Sequence, residues 1–297
     1  ETTEIFSDCF QVAPVADKAG LYRTVSGNEA LSLGLICAAE KLQRQLFLGS
    51  YPITPASDIL HILSTYQHFG VTTFQAEDEI AAACSALGAS YAGGLGVTST
   101  SGPGLCLKAE TINLAVMAEL PMVVINVQRG GPSTGLPTKT EQSDLLLSLY
   151  GRNGDSPLPV LAPASPADCF DMAIEACRIA TTFMTPVILL SDGYLANGSE
   201  SWLVPNPDEI KLTAEATKAN ISPFYPYARD DVYYSREWVT PGTREKMHRI
   251  GGLEKQAITG NPSHDPENHQ RMTDERAKKI NNICHFIPKQ TLTGSTQ

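Results

Sequence analysis

The sequence predicts an α/β fold: a doubly wound parallel sheet over residues 26–192, followed by an extended arm and a helix. Three observations point there. Apolar runs and helical patterns alternate about five times before Asp192. The runs, among them "LFLGSYPI", "PMVVINVQ" and "TPVILLSD", are continuous rather than alternating, as in strands covered on both faces. With 297 residues and 42% hydrophobic content, the chain can bury a substantial core.

The elements follow in order. Residues 1–25 read as an irregular lead-in. Ser26-Gly27-Asn28-Glu29 matches a capping box, and Leu31, Leu35, Ala38 and Leu42 follow at helical spacing. "LFLGSYPI" is a buried strand and "ASDILHILSTYQHFG" an amphipathic helix ending near Gly70, with Thr54 as cap and Pro55 at its first position. "VTTFQA" leads into the helix "DEIAAACSALGASYAG", and "LGVTSTS" into one helix, "GPGLCLKAETINLAVMAEL", with Pro103 in its first turn. After "PMVVINVQ" comes a Gly/Pro/Thr-rich loop from Gly130 to about Thr140. "LPVLAPAS" and "TPVILLSD" are further strands, and the helix between them opens at Ser165-Pro166-Ala167-Asp168. Residues 193–262, rich in Pro, Tyr and Gly, form an extended connection. Residues 263–285 hold a helix capped by Asp265 that starts a C-terminal region, and 286–297 are a polar tail.

Composition narrows the function. Charged residues make up 18%, below the roughly 25% of ordinary soluble domains, which suggests surface covered by other subunits. A net charge of −10 argues against a nucleic-acid partner. The first 200 residues hold 9 Lys and Arg against 20 Asp and Glu, so each arginine there needs a reason. The seven cysteines, Cys9, Cys37, Cys84, Cys106, Cys169, Cys177 and Cys284, contain no C-x-x-C pair and read as reduced core thiols of a cytoplasmic protein. No iron–sulfur cluster held by this chain alone is expected, and the six histidines show no metal-ligand spacing. The sequons at Asn197 and Asn220 read as chance matches. Ile80 to Leu107 is uncharged, but Gly93-Gly94 and Gly102-Pro103-Gly104 make it a strand–turn–helix unit rather than a membrane span.

Ligands of open parallel sheets bind beyond the carboxyl ends of the strands. Thr54, the Glu77-Asp78-Glu79 cluster, Thr98 to Ser101, and Arg129 all fall at such ends. Thr54 serves as a helix cap, a ligand contact or both. Glu77 and Asp78 suit the helix dipole. Glu79 shares a helix face with Ala83 and Ala86, so its carboxylate can meet a flat ligand or another helix. Gly102-Pro103-Gly104 is better read as a tight turn than as a phosphate cradle, for it lacks the P-loop lysine and the G-x-G-x-x-G spacing. Arg129 is scarce positive charge suited to bidentate carboxylate binding, with an ion pair as the plainer alternative.

Together "GNEALSLGLICA", "YPITPASDIL", "QAEDEIAAACSALGASYAGGLGVTSTSGPGL", "LPMVVINVQRGGPSTGLPTKTEQSDLL" and "HRIGGLEK…TGNPSHDPENH" resemble the α subunit of 2-oxoacid:ferredoxin oxidoreductases over about residues 20–285. The stretch "QRGGPSTGLPTKTEQSDL" is most similar to the 2-oxoglutarate type. The resemblance implies a thiamine-diphosphate-binding fold that holds the pyrimidine side of the cofactor. It implies oxidative decarboxylation of 2-oxoglutarate with CoA to succinyl-CoA, CO₂ and reduced ferredoxin. Mg²⁺ and a [4Fe-4S] cluster would belong to a β subunit, and a second copy of the chain would be a further partner. By the same resemblance Glu79 bonds the aminopyrimidine ring as the catalytic residue, and Ile53, Ser101 and Gly102 are further cofactor contacts. Arg129 and Thr54 match the residues beside the substrate carboxylate, while Ser133, Thr134 and Lys139 are assigned to the distal carboxylate. Pyruvate or a branched-chain 2-oxoacid is an alternative substrate, and a non-catalytic assembly subunit an alternative of another class. The family continues past the "DPENH" helix and can carry a fused upstream domain, so a fragment of a longer chain is expected.

Overall fold

The computed structural model describes residues 18–212 and 223–289; most of the lead-in, Cys9, Asn220 and the tail from residue 290 lie outside these residues. The chain opens with β1 (Tyr22–Ser26) and α1 (Gly27–Leu42), then β2 (Leu46–Ser50), α2 (Ser57–Ser64), β3 (Val71–Gln75), α3 (Glu79–Tyr91) and β4 (Leu95–Thr100). It continues through α4 (Gly102–Leu107), α5 (Ala109–Ala118), β5 (Met122–Gln128), α6 (Leu145–Tyr150), β6 (Val160–Leu161), α7 (Asp168–Phe183) and β7 (Pro186–Asp192). α8 (Gly193–Asn197), β8 (Ser199–Leu203) and, after a long arm, α9 (Pro266–Asn282) complete it.

Six strands form one parallel sheet in the order β3-β2-β4-β5-β7-β6. The continuous apolar runs have a simple cause. Val123, Ile125 and Val127 of β5 face one core with α1, α2 and α7, while Met122 and Val124 face a second core with α3 and α5. Successive side chains point to opposite faces, so a strand buried on both is apolar throughout. α3 rides close on β2 and β4: a Cβ on Gly49 would lie 2.3 Å from the Ala82 carbonyl oxygen, and one on Gly96 2.1 Å from that of Ala86.

Several local expectations change. Ser26 does cap α1, accepting from the Glu29 N–H at 3.3 Å, but the Glu29 carboxylate turns to Arg23, so only half the capping box forms. Tyr22–Ser26 is not irregular, nor is the start of the expected connection. β1 pairs antiparallel with β8, and Asp192 caps α8 through the N–H groups of Tyr194 (2.7 Å) and Leu195 (3.2 Å). Both strands are short and half-exposed, so no apolar run announces them, and each finds its partner far along the chain. The single helix expected after Gly102 is divided at Lys108. α6 was not foreseen. Cys169 and Cys177 are core thiols, but Cys84, Cys106 and Cys284 are exposed, since a helical apolar context does not say which face a residue occupies.

The arm is fastened by charge. Glu119 ends α5 in the left-handed region (φ 50°) and is buried, with its carboxylate bound by Arg229 and by Lys279 of α9 at 2.5 Å. Lys255 Nζ donates to the Met117 carbonyl at 2.9 Å and Arg236 Nε to that of Ala118 at 3.3 Å, so cations of the arm satisfy the last carbonyls of α5. Trp238 donates to the Ser90 carbonyl at the end of α3 at 3.1 Å. Helices between parallel strands run back toward the strands' amino ends, so the described part of the arm straps that edge of the sheet.

Burial alone would raise the Glu119 carboxyl, but Arg229 and Lys279 together hold it well below the usual carboxylate range. Glu119→Gln leaves those cations facing a neutral amide, with an expected loss of about 3–5 kcal/mol in urea unfolding. A carboxyl depressed in the folded state stabilises fully above its unfolded value of about 4.3 and progressively less as pH falls below it. Acid unfolding of the variant should therefore be less steep below that pH than in the wild type.

Candidate active site at the carboxyl edge of the sheet

β2 and β4 are neighbours, yet the chain leaves them in opposite directions, β2 outward to β3 and β4 across to β5. Such a switch opens a crevice at the carboxyl ends. Polar side chains line this one. Ser50 bonds Ser99 at 2.7 Å, and the Tyr51 hydroxyl meets Thr100 Oγ1 at 2.8 Å. Burial pushes the Tyr51 hydroxyl pKa up, Thr100 acts against that, and the neighbouring Glu79 carboxylate raises it again. Tyr51 thus remains a protonated donor. Glu79 arrives here because Asp78 caps α3, accepting from the Ala81 N–H at 2.8 Å, which makes Glu79 the first helical residue. The Glu79 side chain is half-buried. Gly104 closes the cluster: a Cβ there would lie 2.1 Å from Thr100 Oγ1, 2.2 Å from the Tyr51 oxygen and 3.0 Å from Glu79 Cγ.

Sequence reasoning missed Lys108. Its ammonium has no exposed surface and donates to the Glu79 carbonyl at 2.9 Å and to Thr98 Oγ1 at 3.0 Å, 5.0 Å from the centre of the Tyr51 ring. Burial lowers its pKa to about 8, against the pull of Glu79 and Asp78. A signal existed: Lys108 is one of nine cations in the first 200 residues, set in a largely apolar helical pattern.

The corner after β2 corrects the reading of Thr54, which is not the helix cap. α2 starts at Ser57, and its N-cap, Ala56, makes no side-chain cap bond. Ile53 to Ala56 form a separate turn in which the Ile53 carbonyl accepts from Ala56 N (2.8 Å) and Ser57 N (2.9 Å). The Ser57 hydroxyl reaches back to this turn, accepting from Ile53 N at 2.8 Å and donating to Ile53 O at 3.1 Å. The Thr54–Pro55 peptide is cis. The Thr54 residue is exposed, and its carbonyl is held by Arg129 Nη1 at 2.8 Å. Asn28 of α1 donates to the Pro55 carbonyl at 3.0 Å. Asn28, hidden in the sequence as part of a cap motif, thus anchors the corner from the other side.

Arg129 is buried, its Nη2 donates to the Thr134 carbonyl at 3.0 Å, and its Nε has no partner. It therefore braces the corner against the Gly130 loop with donor capacity to spare. Ser133, Thr134 and Lys139 stand exposed on that loop, which closes through Gly130 N to Lys139 O and Leu136 N to Gly130 O, both 2.9 Å. Of the three, only the Thr134 carbonyl meets Arg129. Ser101 is fully buried and its hydroxyl has no partner. Ile53 is half-buried at the corner. Gly102 is covered by the Asp144 carboxylate, which Asn126 holds at 2.9 Å. A separate cleft between α5 and α9, lined by Asn113, Glu254 and Arg276 among others, contains none of the predicted site residues.

Residues 39–259 match the family described as pyruvate flavodoxin/ferredoxin oxidoreductase, thiamine diphosphate-binding. The chain is 56% identical over 283 residues to the 2-oxoglutarate oxidoreductase subunit KorA of Mycobacterium tuberculosis, covering 95% of this chain and 43% of that protein. It is 44% identical over 195 residues to the 2-oxoglutarate synthase subunit KorA of Archaeoglobus fulgidus, covering 65% and 55%. The solved 2-oxoglutarate:ferredoxin oxidoreductase from Magnetococcus marinus, with 2-oxoglutarate, coenzyme A and succinyl-CoA bound, superposes with a TM-score of 0.87 at 38% identity, over 98% of this chain and 50% of that one. The chain thus spans about half the length of these relatives. Among the described residues no helix is long and apolar enough to cross a membrane. The switched parallel sheet and the match across most of its length agree: the chain belongs to the pyruvate flavodoxin/ferredoxin oxidoreductase family, within its thiamine-diphosphate-binding domain.

Proposed function

We propose that this chain forms the pyrimidine-binding side of the active site in a 2-oxoglutarate:ferredoxin oxidoreductase α subunit. The overall reaction would convert 2-oxoglutarate and CoA to succinyl-CoA and CO₂ and reduce ferredoxin. The observation that carries this is the half-buried Glu79 carboxylate at the crevice between β2 and β4, beside the protonated Tyr51 hydroxyl. The residues present suit thiamine diphosphate. A carboxylate, an apolar Ile53, and partnerless buried groups at Ser101 Oγ and Arg129 Nε fit a flat heterocycle and an anionic substrate.

When bound, thiamine diphosphate supplies the carbanion chemistry that releases CO₂ from a 2-oxoacid. Glu79 would accept a hydrogen bond from a ring nitrogen of the cofactor and so control the proton on its amino group. Ser101 and Gly102, at the start of α4, would contact the ring. Arg129 has N–H groups left for the substrate carboxylate beside Thr54, while Ser133, Thr134 and Lys139 read the distal carboxylate. The 2-oxoglutarate type is favoured over pyruvate by the names of the relatives and by Lys139 on the rim.

A β subunit completes the site with Mg²⁺, the diphosphate contacts and a [4Fe-4S] cluster. Exposed Phe74, Ile80 and Leu107, at the ends of β3 and α4 and the start of α3, favour such a cover, and a second copy of the chain joins the assembly. The unpaired thiols of the described cysteines favour a cytoplasmic location. The assembly-only alternative draws on one observation, that Arg129 already braces two carbonyls. Glu79 decides between them.

In the assembled complex Glu79→Gln should lower 2-oxoglutarate-dependent, CoA-dependent dye reduction by about 10²- to 10⁴-fold; unchanged turnover would favour the assembly role. Lys139→Ala should raise KM for 2-oxoglutarate by about tenfold or more, the loss of one charge-assisted hydrogen bond, and leave KM for 2-oxobutyrate unmoved. Equal rises for both substrates would refute the distal-carboxylate assignment.

A further inference from the structure

Lys108 is a buried cation to which the proposed chemistry gives no role. A buried ammonium costs several kcal/mol unless it is paired and hydrogen-bonded, and an apolar side chain of similar volume usually fills such a place at lower cost. Here the ammonium joins four pieces of the site. It projects from the joint between α4 and α5 and donates to the backbone oxygen of Glu79 at the first turn of α3. It also donates to Thr98 on β4 and lies against the ring of Tyr51 beyond β2. Two of its contacts, Glu79 and Tyr51, are the groups that face each other across the crevice.

We propose that Lys108 is a positioning residue for Glu79, its ammonium clamping the first turn of α3 so that the carboxylate is held at the angle the aminopyrimidine requires. This rests on the assignment of Glu79 made above. The clamp is strongest while Lys108 is charged, because an ammonium makes charge-assisted hydrogen bonds to the Glu79 carbonyl and Thr98. The titratable groups facing it are Glu79, Asp78 and Cys84 of α3 and Tyr51 beyond β2. Burial brings the Lys108 pKa down to about 8, so the clamp weakens as pH rises through that region.

The test uses the subunit assembled with its β partner and loaded with thiamine diphosphate. Wild type, Lys108→Met, Lys108→Arg and Glu79→Gln are compared for thermal midpoint, cofactor affinity and the rate of C2 deuterium exchange of the bound cofactor between pH 6.5 and about 9.5, a range that brackets a discharged buried lysine. Lys108→Met should slow exchange by on the order of 10- to 100-fold, as for a catalytic group misplaced by about 1 Å, with affinity close to wild type. Lys108→Arg, charged at every pH, should recover most of the rate and lose the alkaline fall that the wild type shows. Exchange in Lys108→Met equal to wild type would overturn the proposal, as would an identical alkaline fall in Lys108→Arg. Should Lys108→Met fail to assemble, Lys108→Gln, which keeps N–H donors without the charge, takes its place, and exchange equal to wild type at every pH would overturn the proposal. Unchanged exchange in Glu79→Gln would instead remove the assignment of Glu79 itself, which keeps the two failures apart.

Discussion

The burial of one ammonium group orders the carboxyl edge of this sheet. Lys108 has no exposed surface, so its charge must be met by groups fixed in place. Those groups come from α3, β4 and the end of β2, three elements that meet only because the sheet order places β2 beside β4. The helix after β4 divides where the lysine stands, and Gly104, one turn earlier, leaves space for Tyr51, Thr100 and Glu79 to converge. The polar ends of the two strands, Ser50 with Ser99 and Tyr51 with Thr100, continue the same pattern of mutual satisfaction.

A second constraint fixes the corner beside this cluster. Pro55 and Thr54 offer their carbonyls outward, and Asn28 and Arg129 take one each. Arg129 also reaches Thr134, so one guanidinium ties the corner to the loop proposed to read the far end of the substrate. At the opposite edge Glu119 does the same work with the charges reversed, a buried carboxylate that gathers Arg229 and Lys279 and so fastens the arm.

The placement of two candidate site residues was legible in the sequence, for a local reason. Glu79 and Arg129 stand at strand ends, and strand ends can be read from apolar runs that stop at polar residues. The capping residues Ser26 and Asp265 were legible because a cap involves neighbours within three positions. Thr54 shows the limit of such local signals. A threonine before Pro55 looks like a cap, yet the turn from Ile53 to Ala56 intervenes and α2 starts at Ser57 with no side-chain cap bond.

The sequence by itself determined the parallel, doubly covered sheet, because burial on both faces demands unbroken apolar strands, and it determined the family through motifs spread along the chain. Only the tertiary structure decided which polar residues meet. The pairing of β1 with β8, the anchoring of Pro55 by Asn28, the gathering of Arg229 and Lys279 on Glu119, and the contacts of Lys108 all join residues far apart in the chain. Each depends on burial and on the direction a side chain takes once its element is packed. Periodicity records which face of an element is apolar; it does not record which distant group a buried charge will find there.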